Sequence, residues 1–339
     1  MIRVFAILFT VIWVFLWSFF YFAEGRGGGE SIRVVDGYII VAFKQNFFRA
    51  TLVVMRFSDG SVLWRERAHG GVLQSINPFS IRGFPRDVSV SGGKVASGGS
   101  DGTVELRRFS DGGLVWRHAH HLDAVWEVSI NGDYVYSSGR DGQVIAARLL
   151  DGHIVWRHDA HRTGSPRKQM VRSVYATELG VFSAGYDGRI FLSDLYSGEI
   201  IWSYQHPGRI KSVAYAEGLI VFSSWESDSD VVAVSIDDGS VVWTHNWHDR
   251  SASGFRGFHL GVEELVIHEG HVYSAGDDGR VVSASLHTGE LVGFHNRHNS
   301  SVRSLAANSS GVVSIDRDGV VVFLPHEKFQ GDSGEARVD

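Results

Sequence analysis

The sequence predicts an all-β seven-bladed β-propeller preceded by one N-terminal transmembrane helix. Three observations predict it: a turn-and-strand element that recurs at intervals of 40 to 52 residues, apolar alternation of period two inside each repeat, and an uncharged apolar run over residues 4–23. Forty glycines against 5 prolines in 339 residues also favour many tight turns between short strands.

The repeat is the firmest element. SDGSVLW ends at Trp64, SDGGLVW at Trp116, LDGHIVW at Trp156, YSGEIIW at Trp202 and DDGSVVW at Trp243, and a sixth copy, HTGELVG, has Gly293 in place of the tryptophan. The spacing matches one four-stranded blade of about 40–45 residues plus loop insertions. Val104 and Leu106 alternate with Thr103, Glu105 and Arg107, which is strand periodicity and excludes a helical repeat. In most units a second turn recurs, an Asp-Gly pair at Asp101, Asp141, Asp187, Asp278 and Asp318 between two apolar runs, the signature of a tight hairpin. Seven candidate first strands follow, near residues 32–35, 88–90, 126–130, 172–175, 211–215, 264–267 and 303–306. The seventh unit has no recognisable fourth strand, which leaves the closure of the ring open.

The chain is therefore divided into a transmembrane anchor (1–23), a Gly-rich flexible tether (24–30, EGRGGGE), the propeller (31–324) and a polar C-terminal tail (325–339) whose phenylalanine is free to dock. About 20 uncharged residues are enough to cross a bilayer, and Tyr21 stands where a cleavable signal wants a small residue. The sparse positive-inside bias places the N-terminus in the cytoplasm and the propeller outside, as a single-pass extracytoplasmic domain. A net charge of −6 supplies no overall attraction to nucleic acid, and the lack of cysteine excludes disulfides, thiolate metal sites and a catalytic thiol.

The run from His121 through Ser137 to Asp141 resembles a WD repeat, and His298, Ser314 and Asp318 repeat it. The resemblance implies a buried histidine–serine–aspartate network in each such blade. The tryptophan that completes it in that family is replaced here by Arg107, Ala147, Ser193 and Ala284. The outer-strand pattern resembles quinoprotein-like (PQQ-like) propellers. That implies that Trp64, Trp116, Trp156, Trp202 and Trp243 dock one blade against the next.

Seventeen histidines invite a metal or catalytic reading, but they recur from blade to blade, which fits a structural role repeated round a ring. A serine hydrolase is disfavoured because a constellation present in several blades is not one active site. A quinoprotein-like oxidoreductase is the stronger rival, yet such enzymes use adjacent cysteines and usually eight blades. No catalytic residue, metal or cofactor is expected. Insertions before three first strands fall on one face and share arginine and aromatic chemistry: Arg82, Phe84 and Arg86; Arg162, Arg167 and Lys168; Arg250, Phe255, Arg256 and Phe258. The expected function is a non-catalytic, membrane-tethered platform whose protein partner docks there, as part of a larger envelope or surface assembly. A self-assembling structural surface or virion component is a further alternative.

Overall fold

The computed structural model describes residues 27–45, 49–69, 83–165, 169–225, 231–248 and 261–329. Six antiparallel sheets of four strands and one of three follow each other along the chain, each with its strands in sequence order. The first strand of each sheet is the innermost: Gly27–Val35, Pro85–Ser91, Val125–Asn131, Val171–Ala176, Arg209–Ala216, Val262–His268 and Val302–Asn308. Each touches the next, and the seventh touches the first, so the sheets are seven blades round an axis.

Burial explains the composition of the strands. Second and third strands pack on both faces and are almost wholly apolar or small, as in Val181–Gly185, buried throughout. Outer strands face solvent, and in Val62–Arg67, Leu114–Ala119 and Val241–His245 the tryptophan is the fully buried or most buried residue. The space between blades is filled by clusters such as Phe182, Ile190, Ile210, Val213 and Phe222. Each such side chain contributes about 1.5–3 kcal/mol by leaving water.

The tryptophans join the blades as the resemblance implied. Indole Nε1 of Trp64, Trp116, Trp156 and Trp243 donates to a carbonyl of the following blade, at Phe109, Leu149, Leu195 and Leu286 respectively, over 2.6–3.0 Å. Trp202 is partly buried against the cluster shared by its own blade and the next. The motif's glycine belongs to the same contact. Gly112 and Gly289 have positive φ, and a Cβ on either would lie 2.8 Å from the indole of the preceding blade.

Among the described residues the ring closes by packing of the first blade on the seventh, without a strand exchanged between them. Ile32, Phe43, Val53 and Met55 of blade 1 pack against Val313, Ile315, Val321 and Phe323 of blade 7. Ile32 N–H also donates across the seam to Ser304 Oγ, 3.0 Å away. In place of a fourth strand, blade 7 is followed by a short 3-10 turn, His326–Lys328, and by Phe329, which is 1% exposed. Phe329 packs with Tyr273, Val302 and Leu324, and a side chain at Gly293 would overlap its carbonyl. The missing sixth tryptophan thus leaves the space that this segment fills.

Two expected boundaries shift and one expected bond changes partner. The innermost strand of blade 1 begins at Gly27, inside the stretch expected to be a tether, and the tail is docked as far as Phe329. In the seventh blade His298 bonds Asp316, not Asp318, which is exposed. The reason lies in the neighbouring position. Gly99, Gly139 and Gly276 leave room there for the histidine ring and the turn aspartate, whereas Asp316 fills that room and makes the bond itself. Among the described residues no helix is long and apolar enough to cross a membrane; the apolar run at 4–23 lies outside them.

Candidate functional site: a ring of bulge residues at the axial mouth

Strands alternate in direction, so the loops that enter each blade and the turns joining second to third strands share one face. The innermost strands start there. In every one of them the register with the second strand slips by one residue just after the start. The residue passed over is Glu30, Arg86, Trp126, Arg172, Lys211, Glu263 or Arg303, in blade order. A β-bulge re-aims one side chain out of the ladder, and here seven bulges form one ring at the mouth of the central channel.

The ring is held by its own charges. Glu263 pairs with Lys211, with Arg303 at 3.3 Å and with Arg172 at 3.7 Å. Burial alone would raise the Glu263 carboxyl; the three cations outweigh it and hold it down to about 2. Arg86 and Arg172 both stack on Trp126, with guanidinium carbons 3.9 and 4.0 Å from a ring centroid. Burial lowers Arg86 to about 10, opposed by the charge of Glu30, while burial raises Glu30 itself. Around the ring lie Lys44 over Phe84 at 4.2 Å and Arg209 over Tyr186 and Trp225 at 5.3 Å. Three neighbours on the ring, Arg86 Nε, Trp126 Nε1 and Arg172 Nε, are buried donors with no hydrogen-bond partner.

One residue deeper, Ser31, Asp87, Glu127, Ser173, Ser212, Glu264 and Ser304 form a second ring. Six of them accept the backbone N–H of the next blade, from Val128 on Asp87 (3.0 Å) round to Ile32 on Ser304. Ser31 instead donates to Asp87. Arg33 reaches Asp87 at 2.9 Å, Glu264 at 3.0 Å and Glu127 at 3.9 Å, and is the cation shared by these three carboxyl groups. Burial opposes the Arg33 charge, but the three carboxylates outweigh it and raise its pKa. This layer was missed in the sequence, although a serine, aspartate or glutamate precedes the buried apolar residue of every first strand: SI, DV, EV, SV, SV, EL and SL.

The histidines occupy separate structural positions. His121 Nδ1 lies 3.0 Å from Asp141 and Nε2 lies 2.9 Å from Ser137. The same pair of bonds joins His161 to Asp187 and Ser183, His248 to Asp278 and Ser274, and His298 to Asp316 and Ser314. A carboxylate can only accept, so Nδ1 carries the proton. His69 follows a variant, bonding Ser97 and Thr103 with Asp101 at 3.4 Å. A second set, His120, His158 and His295, lies near the blade boundaries, and His158 stacks on Trp156. Among the described residues no cluster of three or more histidine, aspartate or glutamate side chains is arranged to hold a metal.

Of the expected partner-binding residues, Phe84 and Arg86 stand at the mouth. Arg162 lies on the same face, in the loop that enters the fourth blade, and pairs there with Asp159 at 3.1 Å. Arg82, Arg167, Lys168, Arg250, Phe255, Arg256 and Phe258 lie outside the described residues.

Seven four-stranded or near-complete blades docked by outer-strand tryptophans define a PQQ-like repeat propeller. A family model described as outer membrane protein assembly factor BamB matches residues 15–156 and 172–330, and the chain belongs to that family. No curated protein matches it. Among solved structures, the computationally designed Ika8 protein is similar at 16% identity with a TM-score of 0.62, over 89% of this chain and 97% of that one. BamB from Moraxella catarrhalis is similar at 17% identity with a TM-score of 0.58, over 91% of this chain and 84% of that one. At those identities the likeness is one of fold.

Proposed function

We propose that this protein is a non-catalytic interaction platform, tethered to a membrane through residues 4–23, that takes part in a larger envelope or surface assembly. The observation that carries this reading is the ring of bulge residues. It concentrates arginine and tryptophan, the types that dominate binding hot spots, at the centre of the insertion-bearing face. Loops on a rigid scaffold then surround it. The family's description as an assembly factor supports the same reading. The repeated histidine–serine–aspartate bonds support the WD-like resemblance and a structural role for these residues, and hence a platform without catalysis.

The partner docks on the face of Phe84 and Arg86, joined by the insertions that carry Arg82, Arg167, Lys168, Arg250, Phe255, Arg256 and Phe258. Replacing Arg82, Arg86 and Arg256 together by alanine should abolish cross-linking to the partner recovered with the wild-type chain, at an unchanged melting temperature. Retained cross-linking would overturn the assignment of the face. Protease accessibility of a C-terminal tag in intact cells tests the extracytoplasmic placement, with full protection as the contrary result.

A further inference from the structure

We infer that the axial mouth faces the membrane and that the arc Arg86–Trp126–Arg172 holds the phosphate of an anionic phospholipid headgroup. This rests on the reading of residues 4–23 as a membrane span. The arc itself rests on geometry. Three consecutive ring positions each bring a buried N–H donor without a partner to one place. An unsatisfied buried donor costs about 1–3 kcal/mol, and three together mark a place built for an acceptor. Stacking on the indole fixes both guanidinium planes while leaving their edges free to donate, which suits a group with several oxygens.

The protein carboxylates beside the arc leave the three donors unfilled. Glu263 pairs with Lys211 and Arg303 and reaches Arg172 only through the Nη2 end of its guanidinium, so Arg172 Nε stays without an acceptor. Glu30 stands between Arg303 and Arg86 in blade order and makes no hydrogen bond to the three donors. Lys44, exposed beside Phe84, adds a cation at the rim.

The source of the phosphate follows from where the chain enters. The innermost strand of blade 1 starts at Gly27, and its bulge residue Glu30 belongs to the ring. Ala23 ends the apolar run, so the ring lies no more than about 25 Å along a fully extended chain from the hydrocarbon, and Gly27 no more than about 14 Å. The insertion-bearing face is therefore the one that opens toward the bilayer. Basic side chains interleaved with tryptophan, tyrosine and phenylalanine are the chemistry of a membrane–water interface. A protein partner of this face is then one that reaches it in the plane of the membrane.

The chain contains no cysteine, so single labels are unambiguous. Leu122, 88% exposed, is on the mouth face, and Leu150, 83% exposed, is on the opposite one. The full chain carrying a fluorophore at L122C or L150C is placed in nanodiscs of phosphatidylcholine, with or without phosphatidylglycerol, containing a lipid-borne energy acceptor. Quenching should be severalfold stronger at 122 than at 150 and should increase with phosphatidylglycerol. R86Q/R172Q should abolish the phosphatidylglycerol response while keeping the native circular dichroism spectrum and incorporation. Equal quenching at the two positions, or indifference to phosphatidylglycerol, overturns the proposal. In detergent, glycerol phosphate should change tryptophan fluorescence in the wild type and not in W126F. If a glutamate-rich peptide gives that change and glycerol phosphate does not, the occupant is a protein carboxylate and the lipid is excluded. Failure of the chain to incorporate removes the membrane span and with it the lipid source, while the glycerol phosphate titration still reports separately on the arc.

Discussion

Arg33 shows how much one side chain holds at the axis. Its guanidinium faces Asp87, Glu127 and Glu264, and all three carboxylates also accept a backbone N–H group of the next blade. Removing it leaves three carboxylates without their cation, and R33M should destabilise the chain by about 3–5 kcal/mol, read as a lower denaturant midpoint. A second residue-scale prediction concerns His158, which burial pushes down to about 4 from 6.5. The folded form keeps it neutral while the unfolded form takes up a proton below about pH 6.5. Its contribution is therefore complete above that pH and is lost as the pH falls toward 4. Glu127, raised by burial to about 8, acts in the opposite direction, so the comparison must be between proteins. The destabilisation caused by H158Q, measured by chemical unfolding, should be larger at pH 7.5 than at pH 5. At this scale the sequence was most legible where chemistry recurs. The WD-repeat resemblance implied the pairing of His121, Ser137 and Asp141, and its copy missed at Asp318 because the neighbouring Asp316 takes the same imidazole.

Outer strands, turns and bulges are the elements that turn a repeat into a ring. The S/T/D-G-x-x-x-W motif reads as a turn followed by a strand, yet its glycine and tryptophan meet across a blade boundary: Trp243 packs on Gly289 of the following blade. G289A combines a strained positive φ with an overlap on His245 and Trp243, and should cost at least about 1 kcal/mol in stability, measured by thermal unfolding. Gly293 gives the converse test. Restoring the repeat's tryptophan by G293W should destabilise the chain, because Phe329 already fills the site, and the near-ultraviolet signal should report a displaced C-terminal segment. Bulges left no mark in the apolar pattern. Their position becomes visible only when first and second strands are paired, which is why Trp126, Arg172, Lys211, Glu263 and Arg303 escaped a reading that sought sites in the insertions.

For the whole molecule the seam between blades 7 and 1 is the joint that sequence order does not protect. Six blade boundaries are crossed by a continuous chain, while this one depends on packing and the Ser304 bond. F323A removes a buried ring from that contact and should cost about 3–5 kcal/mol. Hydrogen exchange should show the innermost strand of blade 1 and the last strand of blade 7 losing protection first; uniform loss across all blades would contradict the seam as the weak joint.

Local chemistry was enough to specify blade number, strand alternation and the hairpin turns, because each is dictated by short-range rules that recur from blade to blade with small variations; the docking of the tryptophans came with the PQQ-like resemblance. The apolar run and the arginine-rich insertions were equally plain as composition. Tertiary structure decided what no single repeat contains. Closing the ring brings one residue from each blade to a common axis, so Glu30 and Arg303, 273 positions apart, become neighbours in blade order. Only there does a one-residue slip in each strand, neutral in isolation, become a charged and aromatic mouth with three donors awaiting an acceptor.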